Sequence, residues 1–228
     1  MLFIYIKGCA RREFMKKIIR YRNLLLFITV FLILLIEHFG LYKTKSQPVI
    51  KEKIIDEFTY DMNLVDQIFT EIQCFPVVKE ENENHYPVTY ENSWGSERTY
   101  GGERTHEGCD LMGAKNERGK YKVCSMTNGV VKNIGWLEQG GWRIGVQSDS
   151  GIYYYYAHLD SYEKAFKEGE TVVAGQILGR MGDSGYGKEP GTKGMFDVHL
   201  HVGIYVKDSV GKERAINPYW YLKQLEIS

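Results

Sequence analysis

Cysteine is scarce in this chain: Cys9, Cys74, Cys109 and Cys124 are the only four in 228 residues, and no two form a CxxC pair. That excludes a disulfide scaffold and leaves four thiols read as free. An excess of one charge is also lacking, since 29 Lys and Arg balance 29 Asp and Glu. No basic cluster with interleaved aromatics occurs, so nucleic acid is excluded as a partner. No internal repeat of roughly 20 to 50 residues is visible, which removes solenoids and propellers. What is present is the composition of a packed globular protein, 43% hydrophobic and 14% aromatic. The length suits one domain with a segment to spare.

Only one long apolar run interrupts the mixed composition, LLLFITVFLILLI at residues 24–36, thirteen residues without a charge. Alone it is nearer a signal-peptide core than the ~20 residues that cross hydrocarbon, but flanking apolar residues lengthen it to 24–42. No small-residue cleavage signature follows, so an uncleaved transmembrane signal anchor is expected. Seven Lys and Arg against Glu13 precede the run, which assigns residues 1–23 to the cytoplasm and the C-terminal part to the outside by the positive-inside rule. MKKIIRYRN, beginning at Met15, is an alternative natural start to Met1. Beyond residue 42 remain 22 basic and 27 acidic residues, so the outer part is no polycation. In residues 43–73 Ile54, Ile55, Phe58, Met62, Val65, Ile68, Phe69 and Ile72 recur at threes and fours, which predicts a juxtamembrane helical stalk. The main domain is assigned to 74–228.

From Tyr121 the pattern is strand and turn. YKVCS, GVVKNIGW, WRIGVQS, GIYYYYAHL and DVHLHVGIYV are short runs rich in Val, Ile, Tyr and Trp, divided by TNG, GG and DSG. This spacing predicts a mostly β domain built on an antiparallel sheet. SYEKAF is expected as a short helix and PYWYLKQL as a C-terminal turn.

Six histidines are distributed unevenly over this pattern. His38 sits at the edge of the apolar run and His85 in the polar stretch KEENENHYP. His199 and His201 are two apart in FDVHLHVGIY, on one face of a strand, where either a satisfied polar pair or a metal site would account for them. His106 and Asp110, in GGERTHEGCDLMG, are four apart and fall on one side whether extended or helical. Tyr154, Tyr156 and His158 would share a face of their strand. Two imidazoles with one carboxylate form a donor set that suits zinc and leaves a fourth position for water.

The order HxxxD, YAHL, a glycine-rich stretch and HLH resembles the lysostaphin-type, LytM-like zinc endopeptidases of bacterial peptidoglycan. EGETVVAGQILGRMGDSG at 168–185 and INP at 216–218 are similar to further marks of that family, over about 150 residues. The resemblance implies that His106, Asp110 and His201 ligate Zn2+ and that His158 and His199 stand beside the attacking water, with the division of labour between them open. It implies a sheet crossed by a groove, and peptidoglycan stem peptides or cross-bridges as substrate. Two features depart from the family. GYGKEPGTKGMFDV at 185–198 is longer than usual, so the groove is expected to be shaped differently. Cys109, between two implied ligands, should face away from them as a buried thiol, or pair with Cys74 or Cys124. The rival readings are a scaffold of the same fold that regulates wall hydrolysis with a protein partner or bridges membranes during sporulation, a related zinc dipeptidase, and a metal-binding barrel without activity. Retention of all five residues favours the peptidase.

Overall fold

In the computed structural model, residues 62–227 are described apart from 81, 82, 84 and 209, together with Phe31. The chain divides into two units, Met1–Val49 and Ile50–Ser228, and the second holds the whole β domain. The anchor expected at 24–42 lies outside the described residues except for Phe31. Among the described residues no helix is long and apolar enough to cross a membrane.

A helix, α1 (Met62–Glu71), comes first. Four short strands lead to the site: β1 (Val88–Thr89), β2 (Glu97–Arg98), β3 (Arg104–Thr105) and β4 (Cys109–Gly113). The body of the sheet is β5 (Lys122–Cys124), β6 (Gly129–Leu137), β7 (Gly141–Gln147), β8 (Tyr153–Tyr162), β9 (Thr171–Val172) and β10 (Ile177–Met181). β11 (His199–Lys207), β12 (Glu213–Ile216) and α2 (Tyr219–Glu226) close it. Ten strands form one antiparallel sheet whose main path runs β1, β4, β11, β8, β7, β6, β9, while β12 adds to β11 and β10 links β8 to β5. β2 and β3 pair separately as a small hairpin.

The two-residue period of the strands divides the sheet into a dry face and a groove face. Leu200, Val202 and Ile204 of β11, Tyr154 and Tyr156 of β8 and Ile144 and Val146 of β7 are buried on the dry face. Both helices cover that face. Val65, Ile68 and Ile72 from the first, and Tyr221, Leu222 and Leu225 from the second, belong to the same core. Phe69 meets Tyr221 at 4.7 Å between ring centroids, and the Tyr154 hydroxyl donates to Glu71 at 3.3 Å. Full burial of one such aliphatic side chain contributes about 1.5 to 3 kcal/mol. The helix inside the stretch read as a stalk therefore packs as part of the β domain, whose core reaches N-terminally past residue 74.

Two smaller expectations are corrected. SYEKAF forms no helix: Ser161 and Tyr162 finish β8, because the Tyr162 hydroxyl is tied to Arg143 and Gly135 of the neighbouring strands. PYWYLKQL is a helix rather than a turn, since Tyr221, Leu222 and Leu225 have core to pack against.

Candidate metal centre and groove

The ligand atoms of His106, Asp110 and His201 converge. His201 stands opposite Asp110 in the β11–β4 ladder, and its Nδ1 lies 2.9 Å from Asp110 Oδ1. His106, from the irregular segment after β3, brings Nε2 to 3.1 Å from each of those atoms. Gly108 makes room, because a Cβ there would collide with the His201 ring. Cys109 alternates inward as expected, 1% exposed, its thiol pushed up by burial and by the charge of Asp110. Cys74, Cys109 and Cys124 are all free, so the thiol reading holds for these three. Cys9 lies outside the described residues.

Three lone-pair donors aimed at one another at this range make an arrangement that a cation resolves. Two imidazole nitrogens and one carboxylate oxygen fit a tetrahedral zinc with one open position. The three residues could together hold a metal ion. Burial alone would raise the Asp110 carboxyl, but the polar imidazoles of His106 and His201 set against it outweigh that and hold the group far below the usual carboxylate range. Burial lowers His201 despite the opposing pull of Asp110. Both shifts keep the donors in the unprotonated forms that ligate.

The surroundings orient these donors. His106 Nδ1 lies 3.1 Å from the Ser93 carbonyl oxygen; a carbonyl only accepts, so the proton sits on Nδ1 and Nε2 is free. Arg98 Nη2 donates to Asp110 Oδ2 at 2.7 Å, which leaves Oδ1 to face the histidines. Neither Ser93 nor Arg98 was picked out from the sequence, because neither belongs to a spaced motif.

His158 reaches the site by a different route from the one its spacing suggested. Strict alternation would align it with Tyr154 and Tyr156, both completely buried in the core. Instead the β7–β8 ladder slips between Trp142↔Leu159 and Ile144↔Tyr156, so that Ala157 and His158 together face Arg143. His158 adopts φ 62°. This bulge turns its ring to the groove face beside Tyr155 and Ala157. Its backbone N–H donates to Gly140 at 2.8 Å and its Nδ1 to the Ser184 carbonyl at 2.8 Å. The Ser184 hydroxyl donates to Leu159 O at 2.6 Å and accepts from Trp142 N at 3.0 Å. His199 is fixed in the same sense, Nδ1 to the Asp197 carbonyl at 2.7 Å. Both rings therefore carry their proton on Nδ1 and leave Nε2 unprotonated, that of His199 lying 3.9 Å from Asp110 Oδ1, and their centroids are 4.7 Å apart. Burial, reinforced by His199 and His201, pushes His158 well below its usual 6.5.

These side chains floor a groove of about 700 Å³ that crosses β11, β8, β7 and β6. Tyr153, Tyr155 and Tyr205 line it, with Tyr153 pushed up to about 12 by burial, so these phenols remain protonated donors. The long loop at 185–198 supplies a wall. Tyr186 stacks on Tyr100 at 4.4 Å, and Phe196 packs 4.6 Å from His158 and 4.9 Å from His199. His85 is exposed and takes no part.

An antiparallel β domain with a His–Asp–His metal group on the floor of an aromatic groove defines a β-sheet metalloprotein with an open, substrate-sized site. Residues 104–218, half of the chain, match the model of peptidase family M23, and the chain belongs to that family. Its members are zinc-dependent metallo-endopeptidases. An L-Ala–D-Glu endopeptidase of Bacillus subtilis is 42% identical over 138 residues, 60% of this chain and 40% of the relative. Lysostaphin of Staphylococcus simulans is 33% identical over 103 residues, 44% of this chain and 19% of its own. The chain thus spans less than half the length of these curated relatives. The crystal structure of a protein of Ruminococcus gnavus, assigned as the glycyl-glycine endopeptidase lytM, is 43% identical, with a TM-score of 0.63 over 77% of this chain and 71% of that one.

Proposed function

We propose that the chain is a zinc endopeptidase that hydrolyses peptide bonds of peptidoglycan, held at the cytoplasmic membrane by residues 24–42 with its domain outside. The observation that carries this reading is the convergence of His106, Asp110 and His201 at 2.9 to 3.1 Å beside two imidazoles, His158 and His199, each with an unprotonated Nε2. When bound, zinc supplies Lewis acidity toward the scissile carbonyl and a lowered pKa for the attacking water. His158, neutral at physiological pH because of its burial, accepts a proton at Nε2 and returns it to the leaving amine. His199 shares that duty or donates to the developing oxyanion. The groove tyrosines donate hydrogen bonds to an extended peptide backbone. The names of the relatives support a wall peptide as substrate, either a stem of the L-Ala–D-Glu kind or a glycine bridge.

Digestion of purified peptidoglycan, with mass analysis of the fragments, tests the reading. New amino termini should appear and should vanish with a chelator. His106→Ala or Asp110→Ala should lose zinc, whereas His158→Ala and His199→Ala should keep it while cleavage falls about 10²- to 10⁴-fold. A wild-type chain that binds no zinc and releases nothing would instead favour the regulatory scaffold. For the anchor, a reporter enzyme joined after Ser228 should be active outside the cytoplasm; activity confined to the cytoplasm would overturn the topology.

A further inference from the structure

The groove holds a cation that the hydrolytic chemistry does not use. Arg143 lies on β7 and lines the groove with Tyr153 and Tyr155. Its Nη1 is fully buried without a hydrogen-bond partner. The other two arginines of the groove are engaged, Arg98 on Asp110 at 2.7 Å and Arg104 on the Tyr100 carbonyl and the Tyr186 hydroxyl at 3.3 Å each. Glu107 and Glu213 also line the groove, yet neither forms an ion pair with Arg143 among the described residues. A guanidinium with one nitrogen buried and unpaired costs free energy, and because the Arg143 side chain as a whole is only partly buried and lines the groove, the rest of its fork is open to an incoming oxygen.

We propose that Arg143 determines specificity by binding a carboxylate on the substrate residue next to the scissile bond, so that an acidic peptide, and not a run of glycines, is the preferred substrate. The location of the cleaved bond rests on the endopeptidase reading above. The strand register supports the placement. Arg143 faces the Ala157–His158 bulge directly, and its strand lies two inter-strand spacings, ~10 Å, from the strand that carries His199 and His201. An arginine side chain is long enough to span much of that interval. A carboxylate matches the guanidinium in a two-pronged, charge-assisted contact. A glycine bridge has no such group to offer.

The test uses the full-length chain in detergent with three peptides: a stem peptide with Ala–Glu and a free glutamate carboxylate, the same peptide with that carboxylate as a carboxamide, and pentaglycine. Binding is read calorimetrically after chelator treatment, so that hydrolysis does not intervene. The free carboxylate should bind about ten- to a hundredfold more tightly than the carboxamide, Arg143→Gln should abolish the difference, and Arg143→Lys should restore part of it. In the zinc-loaded chain Arg143→Gln should raise KM for the acidic peptide by a larger factor than KM for the carboxamide. Equal affinity for carboxylate and carboxamide, or an equal loss on both in Arg143→Gln, would overturn the proposal. Selective binding without any hydrolysis would overturn the endopeptidase reading and leave the role of Arg143 standing.

Discussion

At the scale of single residues, the site depends on how Asp110 divides its two oxygens. Oδ1 faces His106 and His201, while Oδ2 is held by Arg98 from the small β2–β3 hairpin. Arg98 is therefore a positioning residue, and partners that orient a metal ligand in this way typically account for 10- to 100-fold in metal affinity. Arg98→Gln is expected to weaken zinc binding by that factor in a competition titration with a fluorescent chelator, with a melting temperature in metal-free buffer within a few degrees of wild type. Unchanged affinity would show that Asp110 orients itself. Four of the five site residues fall in two spaced pairs, His106 with Asp110 and His199 with His201, whose shared direction was legible from strand or turn geometry, while their roles were implied only by the family resemblance. Ser93, Ser184, Arg98 and Arg143 were not. Each acts from a distant segment as an isolated polar residue, and only the assembled sheet gives it a partner.

The strands were legible too, from alternation and from their glycine turns, but alternation misplaced His158. A bulge inserts an extra residue and reverses the side-chain pattern beyond it, and nothing in YYYYAHL announces where the slip falls. The fold secures this slip with an adjoining element. Gly141, at φ 62°, begins β7, and a Cβ on it would run into the Ser184 backbone, the same carbonyl that accepts from His158. Gly141→Ala should therefore cost about 1 to 3 kcal/mol in denaturant melts and reduce cleavage by more than that loss of folded protein explains, with zinc content retained. Cleavage that falls only in proportion to the folded fraction would separate the hairpin from the alignment of His158. At the N-terminal side, the apolar recurrence at threes and fours predicted a helical stalk over 43–73; a helix is present at Met62–Glu71, and residues 43–61 lie outside the described residues. What periodicity could not show is which surface the apolar stripe would meet.

That surface is the back of the sheet, and this sets the extent of the whole domain. Ile68 is completely buried and Val65 nearly so, in one core with Tyr154 and Tyr221. Ile68→Ala should destabilise the domain by about 2 to 5 kcal/mol through the cavity it leaves, measured by urea unfolding. A free stalk would show no change, and that result would move the domain boundary back toward residue 74. The two helices and the antiparallel ladder also bear on what the ion does. The three donors stand on or beside strands already held by unbroken pairing and by an apolar interior on their far side, so the scaffold owes its cooperativity to packing and not to coordination. The small zinc modules, by contrast, fold only around their ion. Here a metal would be a removable guest: an emptied site would be a shaped cup awaiting reloading, so that folding of the chain and capture of the ion are separable steps.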